Sequence, residues 1–181
     1  MMKKILLMVL LAAPLSLAAQ KFAHFDYAAI MQSMPEMKTV QAELEVLGKQ
    51  YQDELAGMEK ELQTMYEKYQ AEINEQTPEN IRNRKMQELQ DKQARLQQAS
   101  EDNTKAFQEA QQKKMQPLIV KVTDAINAVM KEGNYVYIID KASSQAAGMF
   151  INETLSEEVT KKIMAKLGIS LSATAPAATT K

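Results

Sequence analysis

The chain has 181 residues, 25% of them charged and 45% hydrophobic, which is the balance of a folded soluble protein rather than a disordered one. Aromatics at 6%, no Trp, five Gly and five Pro argue against a sandwich, a barrel or a many-turned α/β enzyme and favour long helices in one domain or two very small ones. The absence of Cys excludes disulfides, thiol nucleophiles and Cys-ligated zinc, and a single His leaves no His-rich metal site and makes a Ser-His-Asp triad improbable.

Met1-Met2-Lys3-Lys4 is a short positive start, followed by an uncharged apolar stretch from Ile5 to Leu17. Ser16-Leu17-Ala18 then places small residues where a signal peptidase cuts, so residues 1–18 are expected to be a cleavable signal peptide, with Ala19 and Gln20 as alternative cleavage positions. Pro14 interrupts the stretch and it is short for a membrane anchor. No Cys follows it to carry a lipid, and no other run is long enough to span a bilayer. An exported chain without stable membrane insertion is the expectation. Removing residues 1–18 takes away Lys3 and Lys4 and no acid, leaving 20 bases against 23 acids, a net charge of −3. A charge so near neutral offers no support for nucleic-acid binding, which needs a concentrated positive surface.

Lys21 to Asp26 reads as a short strand, and Asp26 is placed to cap a short helix from Tyr27 to Met31 that ends or bends near Pro35. From Glu36 to about Gln76 helix formers dominate, and apolar residues recur at Val40, Leu44, Leu47, Tyr51, Leu55, Met58, Leu62, Met65, Tyr69 and Ile73. Val40, Tyr51, Leu62 and Ile73 repeat every eleven residues, about 3.67 per turn, which predicts a straight or slightly right-handed helix about 60 Å long. Thr77 is the expected N-cap of a second long helix, with Pro78 at its first position. That helix runs to about Lys131 and recovers the same period at Leu96, Phe107, Leu118 and Val129. Residues 36–76 carry ten acids and four bases, and residues 77–116 carry six acids and eight bases. Two such helices joined by a tight break are expected to pair as an antiparallel hairpin, since each apolar stripe needs a partner.

Gly133 is the expected helix stop, Tyr135 to Asp140 a strand, Ser143 to Ala147 a turn, and Gly148 to Ile151 a returning strand. Leu155, Val159, Ile163, Met164 and Leu167 describe an amphipathic helix ended by Gly168. The fold class is therefore mainly α with a small β part: a long antiparallel helical hairpin, residues 36–116, projecting from a small α/β oligomerisation body of residues 19–35 and 117–169, with 170–181 a disordered tail. A body this small, with strand edges to cover, is expected to pair with further copies of itself.

No phosphate loop and no dinucleotide fingerprint is present, so ATP-driven work and bound cofactors are not expected. His24 is read as a strand histidine, and Asp26 and Asp140, each closing a strand, as capping and turn residues rather than an acid/base pair; no catalytic residue is assigned. Met is polarizable and adaptable, useful on a surface that accepts many partners. Met58 and Met65 lie on the apolar stripe and fit the seam better, whereas Tyr66 and Met86 lie beside it and are better placed for contact; Phe107 completes the candidates. Gly48 and Gly57 inside a helix, at ~1 kcal/mol each, and Pro117, at ~3 kcal/mol, are the candidate points of bending, with a kink favoured at Pro117.

Three segments, Lys21-Phe22-Ala23-His24-Phe25-Asp26 with Ile30-Met31 and Pro35-Glu36, then Gly133 to Asp140, then Thr154, Val159 and Leu167-Gly168-Ile169, flank the hairpin in an order that resembles the Skp/OmpH family of periplasmic chaperones. The resemblance implies a homotrimer with a shared strand-built body and three tentacles around a cavity. It further implies that such a protein holds unfolded outer-membrane β-barrel proteins in the periplasm without ATP. By position, Phe22, Phe25, Val136, Ile138 and Ile139 would belong to the trimer body. Well-known members are strongly basic and this mature chain is slightly acidic, so the expectation rests on apolar and hydrogen-bonding contacts rather than on capture of acidic clients or of lipopolysaccharide. A structural coiled-coil spacer or adaptor of the cell envelope is the alternative, and it predicts a well-filled seam along the whole hairpin.

Overall fold

The computed structural model describes residues 20–169, so the signal-peptide and tail assignments lie outside the described residues. Within that range the order is β1 (Lys21–Phe25), α1 (Tyr27–Ser33), α2 (Pro35–Glu72), α3 (Glu79–Gly133), β2 (Tyr135–Asp140), α4 (Lys141–Ala146), β3 (Glu157–Glu158) and α5 (Thr160–Lys166). The chain forms two compact units, residues 20–33 with 121–169, and Met34–Val120. It is mainly helical, with a small sheet and a long helical arm, as the apolar spacing predicts.

In the first unit three parallel strands stand in the order β2-β1-β3. Strand β1 is central, so Ala23, His24 and Phe25 are buried in succession instead of alternating with exposed positions. Its partner β2 returns only after the whole hairpin, with Phe22 opposite Tyr137 and Phe25 opposite Asp140; the register skips Val136 at a bulge. Asp26 caps α1 by accepting the Ala29 N–H at 2.8 Å, as its place before the helix predicts. Helix α5 packs on α1, and the core includes Ile30, Val122, Val159 and Ile163, all fully enclosed. The end of β1 is tied to the start of α5 twice: the Asp26 N–H donates to Thr160 Oγ1 at 2.9 Å, and the Val159 N–H donates to the His24 carbonyl at 2.9 Å.

In the second unit α2 starts at Pro35, directly after Met34, because Pro at the first position costs no helical hydrogen bond. It ends at Glu72, one turn before the predicted end, with Ile73 extended. Thr77 is not an N-cap: its Oγ1 accepts the Asn74 N–H at 3.0 Å within the turn. The Pro78 carbonyl accepts the Ile81 and Arg82 N–H groups, so Pro78 flanks α3 instead of opening it. Helix α3 then continues unbroken through Pro117.

The largest departures from the sequence-based expectation fall between residues 133 and 160. Gly133 is the last helical residue, and the left-handed conformation that stops the helix belongs to Asn134, at φ 53°. Residues 141–146 form a helix, not a turn, because Asp140 caps it from the strand end by accepting the Ser143 N–H at 2.8 Å. Gly148–Ile151 is not a strand; the third strand is Glu157–Glu158, which finds main-chain partners on the free edge of β1 at Ala23 and His24. That pairing delays the last helix to Thr160 and leaves Leu155 in a turn closed by Asn152, whose Oδ1 accepts the Thr154 N–H at 3.1 Å. Gly168, at φ 70°, ends α5 as predicted.

Candidate functional site

The arm is held together mainly by a thin seam. Opposite charges meet across it, as the charge imbalance of the two helices predicts: Lys114 with Glu43 at 2.6 Å, Lys92 with Glu61, and Lys85 with Glu72 at 3.5 Å. Asn103 Nδ2 donates to Glu54 Oε2 at 3.1 Å. Partners descend along α2 as they ascend along α3, which is the antiparallel register. All are solvent-facing, so each contributes only ~0–1 kcal/mol. Among the hydrophobic residues of Met34–Val120 only Met34, Val40, Leu89 and Leu118 are buried. The rest of the stripe, Met58 and Met65 included, is half-buried, because a layer two helices thick has no second partner to cover it.

Phe107 is half-buried in this seam, and its ring lies 3.4 Å from where a Cβ on Gly48 would stand. At that distance a methyl group would make ordinary van der Waals contact with the ring, so the ring does not require glycine at 48. At Gly57 a Cβ would meet open space, and nothing in the structure explains the glycine. Pro117 borders a shallow recess with Glu109, Gln112, Lys113 and Gln116.

Tyr66 on α2 and Met86 on α3, the two candidates beside the stripe, are 50% and 42% exposed, and the fold brings them together on one recess of about 450 Å³. Leu62, Leu89 and Leu96 are its most buried lining residues and form its floor. Gln63, Gln90, Gln93 and Glu59 complete it. The α2 contributors recur at helical spacing from 59 to 66 and the α3 contributors from 86 to 96, so one flank of each helix is engaged. Neither Glu59 nor the glutamines stand out in the sequence, since polar residues fill most off-stripe positions of both helices.

In the other unit the candidate oligomerisation residues divide. Phe22 and Val136 are 40% and 43% exposed, Ile138 and Ile139 are half-buried, and Phe25 is enclosed within the chain's own core. Tyr137, outside the predicted set, is 60% exposed and stacks on Phe22 with centroids 6.2 Å apart. Phe150 and Leu155, at 96% and 80%, are the most exposed large apolar residues described; assigning them to a strand and a helix hid them.

His24, Asp26 and Asp140 are taken up by the fold. His24 is buried, with Nδ1 3.0 Å from Ser156 Oγ. Asp140 accepts the Tyr27 N–H at 3.0 Å and both the N–H and hydroxyl of Ser143, so it secures two helix starts. Burial alone would raise its pKa, but the Ser143 hydroxyl and the Tyr27, Ser143 and Ala142 N–H groups outweigh it and hold the carboxyl below its usual range. Tyr135 donates to Glu157 at 2.6 Å and lies under Lys162; burial, then the Glu157 carboxylate, push its phenol up. Hydrogen bonds from Lys162 and Tyr135 hold Glu157 down. Among the described residues there is no cluster fit to hold a metal and no helix long and apolar enough to cross a membrane.

Asp140→Asn is expected to cost about 1 kcal/mol near pH 7, because the hydrogen bonds from Tyr27 and Ser143 to a charged carboxylate are stronger than those to a neutral amide. A depressed carboxyl stabilises the fold fully above its unfolded pKa and loses that contribution as pH falls through the folded one. The gap between wild type and D140N should therefore close below about pH 4. Urea midpoints measured from pH 7 to pH 2 check this, and a gap that persists in acid would contradict it.

A model of the family described as "Outer membrane protein (OmpH-like)" matches residues 21–167. The chaperone protein Skp of Yersinia enterocolitica is 31% identical over 133 residues, 72% of this chain and 79% of that one. A solved structure from Caulobacter crescentus, described as OmpH-like, has a TM-score of 0.65 and 19% identity, covering 82% of this chain and 83% of that one.

Proposed function

Because the chain belongs to the OmpH-like family, we propose that it is an ATP-independent holdase chaperone of the periplasm, exported by its signal peptide, which binds unfolded outer-membrane β-barrel proteins along its helical arms and prevents their aggregation. The observation that carries this reading is the arm's accessible apolar surface: a mostly half-buried stripe, flanked by Tyr66 and Met86 over a leucine-floored recess. Many such weak contacts sum to useful affinity, while each releases without energy input. Release follows when the client folds into the membrane. Met58, Met65 and Phe107 sit in the seam and reach a client where the arm loosens.

The homotrimer belongs to the same proposal. Phe22 on the central strand and Val136 and Tyr137 on the edge strand β2 are exposed, and they favour burial against further copies of the chain. Three copies is the count that the family resemblance implies. No catalysis is assigned, since His24, Asp26 and Asp140 all serve the fold. A coiled-coil spacer would want a seam filled along its length, and full burial at so few of its positions argues against one.

Light scattering on the mature protein, alone and mixed with a porin diluted from urea, tests the proposal. A trimer that keeps the porin soluble in a discrete complex is expected. A trimer that leaves the porin to aggregate would return the spacer, and a monomer that does so would remove the proposed assembly as well.

A further inference from the structure

The recess between α2 and α3 has a feature that a general apolar surface does not need. Glu59 is its only charged lining residue, and among the described residues it has no ion pair, although Glu61 and Glu72 on the same helix are matched by Lys92 and Lys85. The side-chain amides of Gln90 and Gln93 likewise have no protein partner there and offer both donors and acceptors to a backbone laid alongside. Between them lie the leucine floor and the exposed Tyr66 and Met86. From residue 59 to residue 66 the α2 side of the recess spans about 10 Å, the length of about three residues of extended chain. Its volume of about 450 Å³ is that of a small-ligand pocket and admits a large apolar side chain with room beside it for a neighbouring residue.

We propose that this recess is a docking site for extended segments of unfolded polypeptide in which a large apolar residue is followed by Lys or Arg, the apolar side chain entering over the leucines and the cation pairing with Glu59. The inference rests on the chaperone reading and names the client segment that its arm selects. An acidic neighbour in the client is repelled, so the site sorts segments by charge as well as by apolarity.

Fluorescence anisotropy with two labelled ten-residue Gly/Ser peptides, one carrying a central Phe-Arg and the other Phe-Glu, tests it on the full mature chain at low salt. Wild type should favour Phe-Arg by about two- to fivefold, the size of an exposed ion pair. Glu59→Lys should invert the preference, and Asp53→Lys, outside the recess, should leave it as in wild type. Equal affinities in wild type, no measurable binding of either peptide, an unchanged ratio in E59K, or an equal change in D53K each overturns the inference. Porin solubility is measured on the same samples. A held porin with a flat peptide ratio removes the docking site and leaves the chaperone; an aggregated porin with an inverting ratio does the reverse.

Discussion

Replacing Ile163 by Ala is expected to lower the stability of the sheet-bearing unit by about 2–5 kcal/mol. Ile163 is completely enclosed on α5, which packs on α1, and the chain around it is short. A unit of that size has only ~0.05–0.15 kcal/mol per residue to lose, so one cavity removes a large share of it. On the arm the same kind of truncation at Met65 should cost much less, because a half-exposed side chain leaves a dent that water fills rather than an empty void. Hydrogen exchange read peptide by peptide separates the two cases. I163A should lose protection chiefly in β1, α1, β2 and α5, and an equal loss from both substitutions would contradict the contrast between a closed core and an open seam.

That contrast is where the sequence was most legible. An apolar residue every three or four positions can satisfy only a helix, so the arm's two helices and their antiparallel pairing followed from spacing and charge, with the first helix ending one turn early. The strand at Tyr135–Asp140 was equally plain, since five consecutive β-formers and aromatics between a helix end and an Asp leave little else. Between Lys141 and Glu158 local preference and tertiary demand diverged. Gly148-Met149-Phe150-Ile151 has the composition of a strand, but Glu157-Glu158, a poor strand by composition, lies at the only edge of β1 that remains open. Main-chain partners outweighed side-chain preference there, and no pattern along the chain announces a free edge.

The candidate site was legible in half of its parts. Tyr66 and Met86 stood out because large apolar residues beside a stripe have no seam to enter, and both prove exposed on one recess. Their meeting on opposite helices depends on hairpin register, which charge and period constrain only loosely. Glu59 was invisible for a simpler reason: ten acids lie between residues 36 and 76, several of them without an ion pair among the described residues, and only its place in the recess sets Glu59 apart. Phe25 reads in sequence like Phe22, yet a central strand encloses one and exposes the other.

Gly133→Ala carries the other large effect, and its sign depends on a neighbour. In a helix Ala is better than Gly by about 1 kcal/mol, and Gly133 is the last residue of α3. A Cβ built there, however, would stand 1.9 Å from Cε2 of Tyr135 and 2.6 Å from two further ring atoms. The ring cannot swing aside cheaply, because it is buried and its hydroxyl is fixed by Glu157 at 2.6 Å and by Lys162 at 3.2 Å. Relief would have to come from the backbone at Asn134, already left-handed, or from the start of β2. G133A is therefore expected to cost about 1–3 kcal/mol, the range for overpacking. In a Tyr135→Ala background the obstacle is gone and the same substitution should become neutral or stabilise by up to about 1 kcal/mol. Urea denaturation of the four proteins of this cycle measures the reversal. A cost that is the same with and without the Tyr135 ring would show that Gly133 is held by something other than that contact.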